Sequence, residues 1–282
     1  MKPINDRNFR FRIIMLALGA VVLVILLATF HFKHQKYFIR KEKHSQLSAI
    51  SELKINQLTQ WYKERLSEAS FFASSSPYIT YIDKILLGNT EAESEYRKAL
   101  LHIMSGKRYQ NIVLLSANGK YIYSAVENDT LIVNSVIAGL LDHVRRLQKI
   151  VVSDFYLCPQ HNKVHIDFIS PVISETNELI AFLVFRVEPD DYIIPMIRKW
   201  PIPSETAETY LVRNDGDSVT FLSKLRHIQM IPLRMKVALN RPEITAVKAV
   251  IGTEGVIEGR DYRNEKVLSD VRKVPDPNWY II

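Results

Sequence analysis

The sequence predicts an α+β protein: an N-terminal transmembrane helix, a long amphipathic helix, then two tandem antiparallel-sheet modules with helices packed on them. Three observations carry this reading. Residues 13–32 contain no Asp, Glu, Lys or Arg. Residues 35–75 contain no proline or glycine and space their apolar side chains mostly by three to five. Beyond them, two β-rich segments turn on Asn118-Gly119 and Asp215-Gly216, and each is followed by a helix-prone stretch and further strands.

The first element, residues 13–32, is about twenty residues long, which at about 1.5 Å per residue matches a hydrocarbon core of about 30 Å. A cleaved signal peptide would have a shorter apolar region and a small-x-small site before Lys33, so the segment reads as an uncleaved anchor. Its flanks hold the excess charge. The formal net charge is +7, and through Ser45 there are nine basic residues against Asp6 and Glu42. The remainder of the chain is balanced, so the positive charge belongs beside lipid headgroups and no nucleic-acid-binding face is expected. With residues 1–12 as a short cytoplasmic tail, everything after about residue 35 is expected on the periplasmic or extracellular side of the cell inner membrane, crossed once. The single cysteine, Cys158, excludes an intrachain disulfide.

The stalk, residues 33–76, continues the span as one helix with an apolar stripe from Leu47 through Leu53, Leu58, Trp61, Tyr62 and Leu66 to Phe72. That stripe can pack on the sheets or pair with a second copy of the chain. Ser76 is expected to cap a short helix with Pro77 at its first position and Gly88 at its end. Thr90 and Glu93 have capping-box spacing for a third helix closing at Gly106. Residues 111–125 form the first hairpin, residues 134–148 a helix, and 151–157, 164–172 and 179–187 three more strands. Two strands, a helix and three strands make a five-stranded antiparallel sheet of PAS-like type.

A second copy begins at the 208–223 hairpin, with a helix near 244–250, a strand hairpin turning at 263–265 and a last strand, NWYII. The module boundaries follow as 77–200 and 201–282, with the proline-bearing segment 190–205 as connector. Trp200 and Trp279, at corresponding module ends, read as packing anchors.

These features resemble the double Cache sensors, the extracytoplasmic parts of histidine kinases, chemoreceptors and diguanylate cyclases. Two stretches carry the likeness: RKWPIPSETAETYLVRNDGDSVTFLSKLRH at 198–227, similar to the linker between modules, and the ending GRDYRNEKVLSDVRKVPDPNWYII, with Asn264 where a glycine is usual. The resemblance implies a distal ligand site, a homodimer through the long helix, and a second membrane helix with a signalling domain beyond the sensor. The chain ends at Ile282 before any such output, so it reads as the sensing region of a receptor completed by a longer protein or by partners; a ligand-independent membrane-anchored scaffold is the alternative.

No GxSxG, HExxH, GxGxxG or P-loop is present, so no enzyme and no cofactor is expected. Strand alternation places Tyr121 with Tyr123, Asp154 with Tyr156, and His165 with Asp167 on one polar face, opposite apolar neighbours such as Phe155, Ile166 and Phe168. Carboxylates beside tyrosines suit an amine or amino acid, through charge-assisted hydrogen bonds and cation–π contact, and Arg108, Arg145 or Arg146 would meet a ligand carboxylate. The plain alternative is a solvated sheet face. Cys158, His161, His165 and Asp167 have no recognised metal spacing, and the expectation is a buried free cysteine and a loop histidine.

Overall fold

The computed structural model describes residues 6–105, 108–127, 133 and 135–282. The chain divides into two units, Met1–Ala49 and Ile50–Ile282. Within the first unit the described residues lie on helix α1 (Asp6–Ser74). It is the one described helix long and apolar enough to cross a membrane. Its apolar side chains between residues 13 and 32 are exposed, Leu16 by 74% and Phe30 by 70%, a continuous surface that water does not favour.

In the second unit, the remaining length of α1 buries Leu58, Trp61, Tyr62, Ala69 and Phe72 in one core. The stripe expected from the sequence is therefore packed against the chain's own sheets. Leu53, expected within it, is exposed; Lys54 takes the inward position, its ammonium donating to the carbonyls of Ile197 and, at 2.9 Å, Lys199. Burial pushes Lys54 down to about 8.

Helices α2 (Ser76–Leu86) and α3 (Thr90–Met104) follow. Both N-caps sit one residue before the expected ones. Ser75 caps α2, so Ser76 and Pro77 are the first two helical residues. Asn89 caps α3, its side chain accepting from the Ala92 N–H at 2.9 Å; Asn competes at least as well as Thr for that position, so the Thr90 capping box does not form. The expected helix boundaries at Gly106 and Asn134, and the first five residues of the tail, lie outside the described residues.

The first sheet comprises β1 (Asn111–Ser116), β2 (Tyr121–Ser124), β3 (Val151–Val152), β4 (Tyr156–Cys158), β5 (Lys163–Ile173) and β6 (Leu179–Val187). Its order is β2-β1-β6-β5-β3, with β4 also paired to β5 and every pairing antiparallel. Gly119 closes the first turn at φ +78°, as Asn-Gly implies. The strand expected over 151–157 is broken in two at residues 153–155, which makes six strands where five were expected. One face of this sheet meets α1 through Ile112, Leu114, Phe168 and Phe185. The other meets helix α4 (Ser135–Leu147) through Val113, Leu115, Phe182 and Val184 against Ile137, Leu141 and Val144. The central strands are thus covered on both sides.

A 3-10 turn (Pro189–Asp191) and helix α5 (Ile193–Arg198) occupy what was expected to be an irregular connector. Pro195 is tolerated because it stands in the first turn of α5, where its missing N–H has no intrahelical partner to lose. The second sheet contains β7 (Leu211–Asn214), β8 (Ser218–Phe221), β9 (Lys236–Ala238), β10 (Gly255–Arg260), β11 (Lys266–Lys273) and β12 (Trp279–Ile281), in the order β10-β11-β12-β7-β8-β9. Helix α6 (Thr245–Val250) packs on it through Ala246 and Val247. Asn264 adopts φ +72°, the left-handed geometry a glycine would supply, so the turn keeps its form without one.

Candidate functional site

On the face of the first sheet turned toward α4, three strands bring polar residues into direct register. Asn111 of β1 stands opposite Arg186 of β6, and Arg186 stands opposite Asp167 of β5. All three are buried, and on the same face their strands continue with Val113, Ile169 and Val184. Arg186 Nε donates to Asp167 Oδ1 at 3.0 Å, and Nη2 donates to Oδ2 at 3.2 Å and to the Tyr156 hydroxyl at 3.1 Å. The Tyr156 hydroxyl in turn donates to Asp167. At one end of the row Asn111 Nδ2 donates to the Ser124 hydroxyl at 2.8 Å. At the other the Asp167 backbone N–H donates to Ser153 Oγ at 2.8 Å.

Charge at the centre is held by mutual compensation. Burial alone would lower the Arg186 pKa, but the adjacent Asp167 carboxylate more than offsets it and the guanidinium is held above its ordinary value. Burial, reinforced by Asp167, raises Tyr156, so the phenol stays protonated and acts as a donor. One group is left over: Arg186 Nη1 is buried without a hydrogen-bond partner. A buried guanidinium N–H without an acceptor is expensive, and it marks where an oxygen ligand would gain most.

The residues predicted from strand alternation do not all meet. Tyr156, His165 and Asp167 come together, with the Tyr156 and His165 rings 6.2 Å apart. Tyr123 belongs to the other face, where Arg97 Nε donates to its hydroxyl at 3.2 Å and its ring lies beside Tyr96 of α3. A register shift between Leu114 and Leu115 interrupts the alternation on β2, and Tyr121 is exposed. Arg108 is exposed beside Glu68, 3.4 Å away, at the rim of an open groove of about 420 Å³ between α1 and the end of α3. Arg145 pairs with Asp142 and donates to the Ala117 carbonyl at 3.0 Å, and Arg146 contacts His143.

Asp154 faces the second module. Its carboxylate accepts from Trp279 Nε1 at 2.8 Å and lies 3.1 Å from Arg213 Nη1. Arg213 also donates to the Phe155 carbonyl at 3.0 Å. Trp279 is wholly buried, with its ring against Phe155 and Tyr62. Ser153 touches the polar row and Asp154, one residue on, touches the second sheet, so the break between β3 and β4 physically joins the two.

Arg186 and Asn111 were not among the sequence-predicted site residues. A signal for Arg186 existed: it is the one charged residue in LIAFLVFRV, a strand otherwise apolar throughout. Asn111 had no comparable signal, because its position at the start of a strand is ordinary for asparagine.

At the level of sequence, no family model and no curated protein matches the chain. Solved structures do. The ligand-binding domain of the Pseudomonas aeruginosa amino acid chemoreceptor PctC, solved with GABA, superposes with a TM-score of 0.55 at 14% identity over 85% of this chain and 98% of its own. That of the Pseudomonas fluorescens chemoreceptor CtaA, solved with L-isoleucine, gives 0.57 at 14% identity over 88% and 93%. The Campylobacter jejuni chemoreceptor Tlp3 domain, solved with L-valine, gives 0.58 at 12% identity over 87% and 93%. The helix-then-two-sheets architecture described above is the one these chemoreceptor domains share, and the chain has the double Cache fold.

Proposed function

We propose that this chain is the extracytoplasmic sensing region of a membrane-anchored receptor, and that it binds a small zwitterion of the amino-acid class at the buried polar row of its first module. The observation that carries the reading is Arg186: a buried guanidinium whose Nη1 lacks an acceptor, held against a carboxylate. A ligand carboxylate would accept from Nη1 while its ammonium group shares Asp167, so that both charges meet an existing partner. Solved chemoreceptor domains of the same fold hold GABA, L-isoleucine and L-valine. The exposed apolar surface of residues 13–32 supplies the anchor, and occupancy would be passed through Ser153 and Asp154 to the second sheet.

The test is a thermal-shift and calorimetric screen of the full chain in detergent against amino acids, GABA and simple amines. At least one should raise the melting temperature, and Arg186→Lys and Asn111→Ala, where folded by circular dichroism, should lose that rise. A flat screen on folded wild-type protein would remove the basis for a ligand. A second reading, a ligand-independent scaffold that contacts another membrane protein, is favoured by the mutual pairing of Asp167, Tyr156 and Arg186 without any ligand. A stoichiometric partner co-purifying from membranes in the absence of added ligand would support it.

A further inference from the structure

The β4–β5 hairpin carries a second constellation that the polar row does not use. Cys158 ends β4, His161 lies in the turn and His165 stands on β5. Tyr156 pairs with His165 and Cys158 with Lys163, so Cys158 and His165 are diagonal neighbours on one face of the hairpin. The turn folds His161 back over them. Its Nδ1 is 3.4 Å from Cys158 Sγ, its ring centroid is 5.2 Å from that of His165, and one donor atom from each of the three lies within 4.8 Å of the others.

His165 is the independent sign that something belongs there. The residue is fully buried, and neither ring nitrogen has a hydrogen-bond partner. An imidazole normally satisfies both nitrogens when it is taken out of water.

We infer that Cys158, His161 and His165 form a binding site for a single thiophilic transition-metal ion of the Zn2+ and Cu+ class. One thiolate and two imidazoles are the donors such ions select, and carboxylate-preferring Mg2+ or Ca2+ would find no oxygen set among them. The distances fit with little movement. Bonds of about 2.3 Å to sulfur and about 2.0–2.1 Å to nitrogen, at a tetrahedral angle, set sulfur and nitrogen about 3.5 Å apart. The Cys158 and His161 atoms already have that spacing, and the widest separation must close by up to about 1.3 Å. Binding releases the Cys158 thiol proton to solvent and gives His165 the partner it lacks. Three protein ligands leave a fourth position open.

The experiment uses the full chain without any affinity tag, reduced and stripped with chelator in detergent. It is loaded separately with Zn2+ and with Cu+ kept reduced, gel-filtered, and assayed for metal content and melting temperature. One ion per chain is expected for at least one of the two metals, with a rise of about 5 °C or more when the metal is well above its dissociation constant. His161→Gln, in the turn and only half-buried, should fold with the melting temperature of the stripped wild type and lose at least tenfold in retained metal; Cys158→Ser should do the same. Retention of neither metal by wild type would overturn the inference, and so would equal retention by wild type and His161→Gln, which would place the ion elsewhere. Neither result touches the ligand row, which is read out with amino acids on metal-free protein.

Discussion

Exchange of Asp167 for Asn keeps the shape of the side chain and removes only its charge, which isolates what the carboxylate does for Arg186. In the native chain the two side chains are 0% and 1% exposed and are joined by two direct hydrogen bonds, with Tyr156 bridging them. After the exchange a guanidinium remains buried without a counter-charge, and the new amide N–H₂ faces either the Arg186 donors or the Tyr156 hydroxyl. Breaking a buried pair from one side costs about 3–5 kcal/mol. For a unit of the size of Ile50–Ile282, at about 2–4 °C per kcal/mol, the melting temperature should fall by about 6–20 °C. The assay is thermal and urea unfolding of the full chain, with a double-mutant cycle of Asp167→Leu, Arg186→Met and the two combined. The double variant should recover a large share of the loss, with a coupling energy of about 2 kcal/mol or more. If Asp167→Asn falls within about 1 kcal/mol of wild type, or the two single changes simply add, the pair is not the electrostatic unit described here.

Lys54 supplies a pH-dependent prediction. Its folded pKa of about 8 lies below the ordinary 10.5, so between those values the unfolded chain binds more protons and stability rises with pH. The stability difference between wild type and Lys54→Met should therefore move in favour of wild type by about 2 kcal/mol from pH 7 to pH 9.5; a difference that does not change with pH would contradict the burial of the ammonium. Asp154→Ala leaves the buried Trp279 indole N–H without its acceptor and should destabilise by about 1–3 kcal/mol. Asp154→Asn keeps an acceptor and loses only the charge toward Arg213, a half-exposed pair, so it should fall clearly nearer wild type. Equal unfolding midpoints for the two variants would show that the indole bond carries no weight.

Much of the fold was legible because local chemistry and burial agree. Asn118-Gly119 and Asp215-Gly216 turn their hairpins with Gly119 at φ +78° and Gly216 at φ +91°, and the long stalk helix follows from forty residues without a breaker. What failed did so for identifiable reasons. Strand β9 is three residues long and leaves no periodicity to read. Helix α5 was hidden by Pro195, whose position in a first turn is harmless. Period-two alternation says which side chains of β5 share a face but not how deeply each face is covered. His165 to Ser170 are buried without interruption: Phe168 lies in the core shared with α1, Ile169 packs against α4, and Tyr156, Ser153 and His161 lie against Asp167 and His165, so the strand has no period-two burial signal. Alternation therefore put Asp167 on the polar face expected to meet a ligand but could not show that Arg186 of β6 is its buried partner.

Burial of the row decides what a ligand would have to do. An open polar face binds by filling vacancies, whereas a closed row binds by exchanging partners, since any carboxylate reaching Arg186 competes with Asp167 and Tyr156. For the proposed ligand, the apparent affinity would be reduced by the fraction of time the row is open, and the energy gained at Arg186 Nη1 would shift the population. Exchange at Asp167 cannot stay local, because the backbone of Asp167 and Ser153 is joined by a reciprocal pair of bonds of 2.8 Å each, from the Asp167 N–H to Ser153 Oγ and from the Ser153 N–H to the Asp167 carbonyl. The next residue, Asp154, holds Trp279 and Arg213 of the second sheet. A displacement of β5 at the row thus moves the only two residues separating it from the bond to Trp279. In the proposed reading, the closed arrangement that would weaken binding is also the one that would give binding a route to the far module.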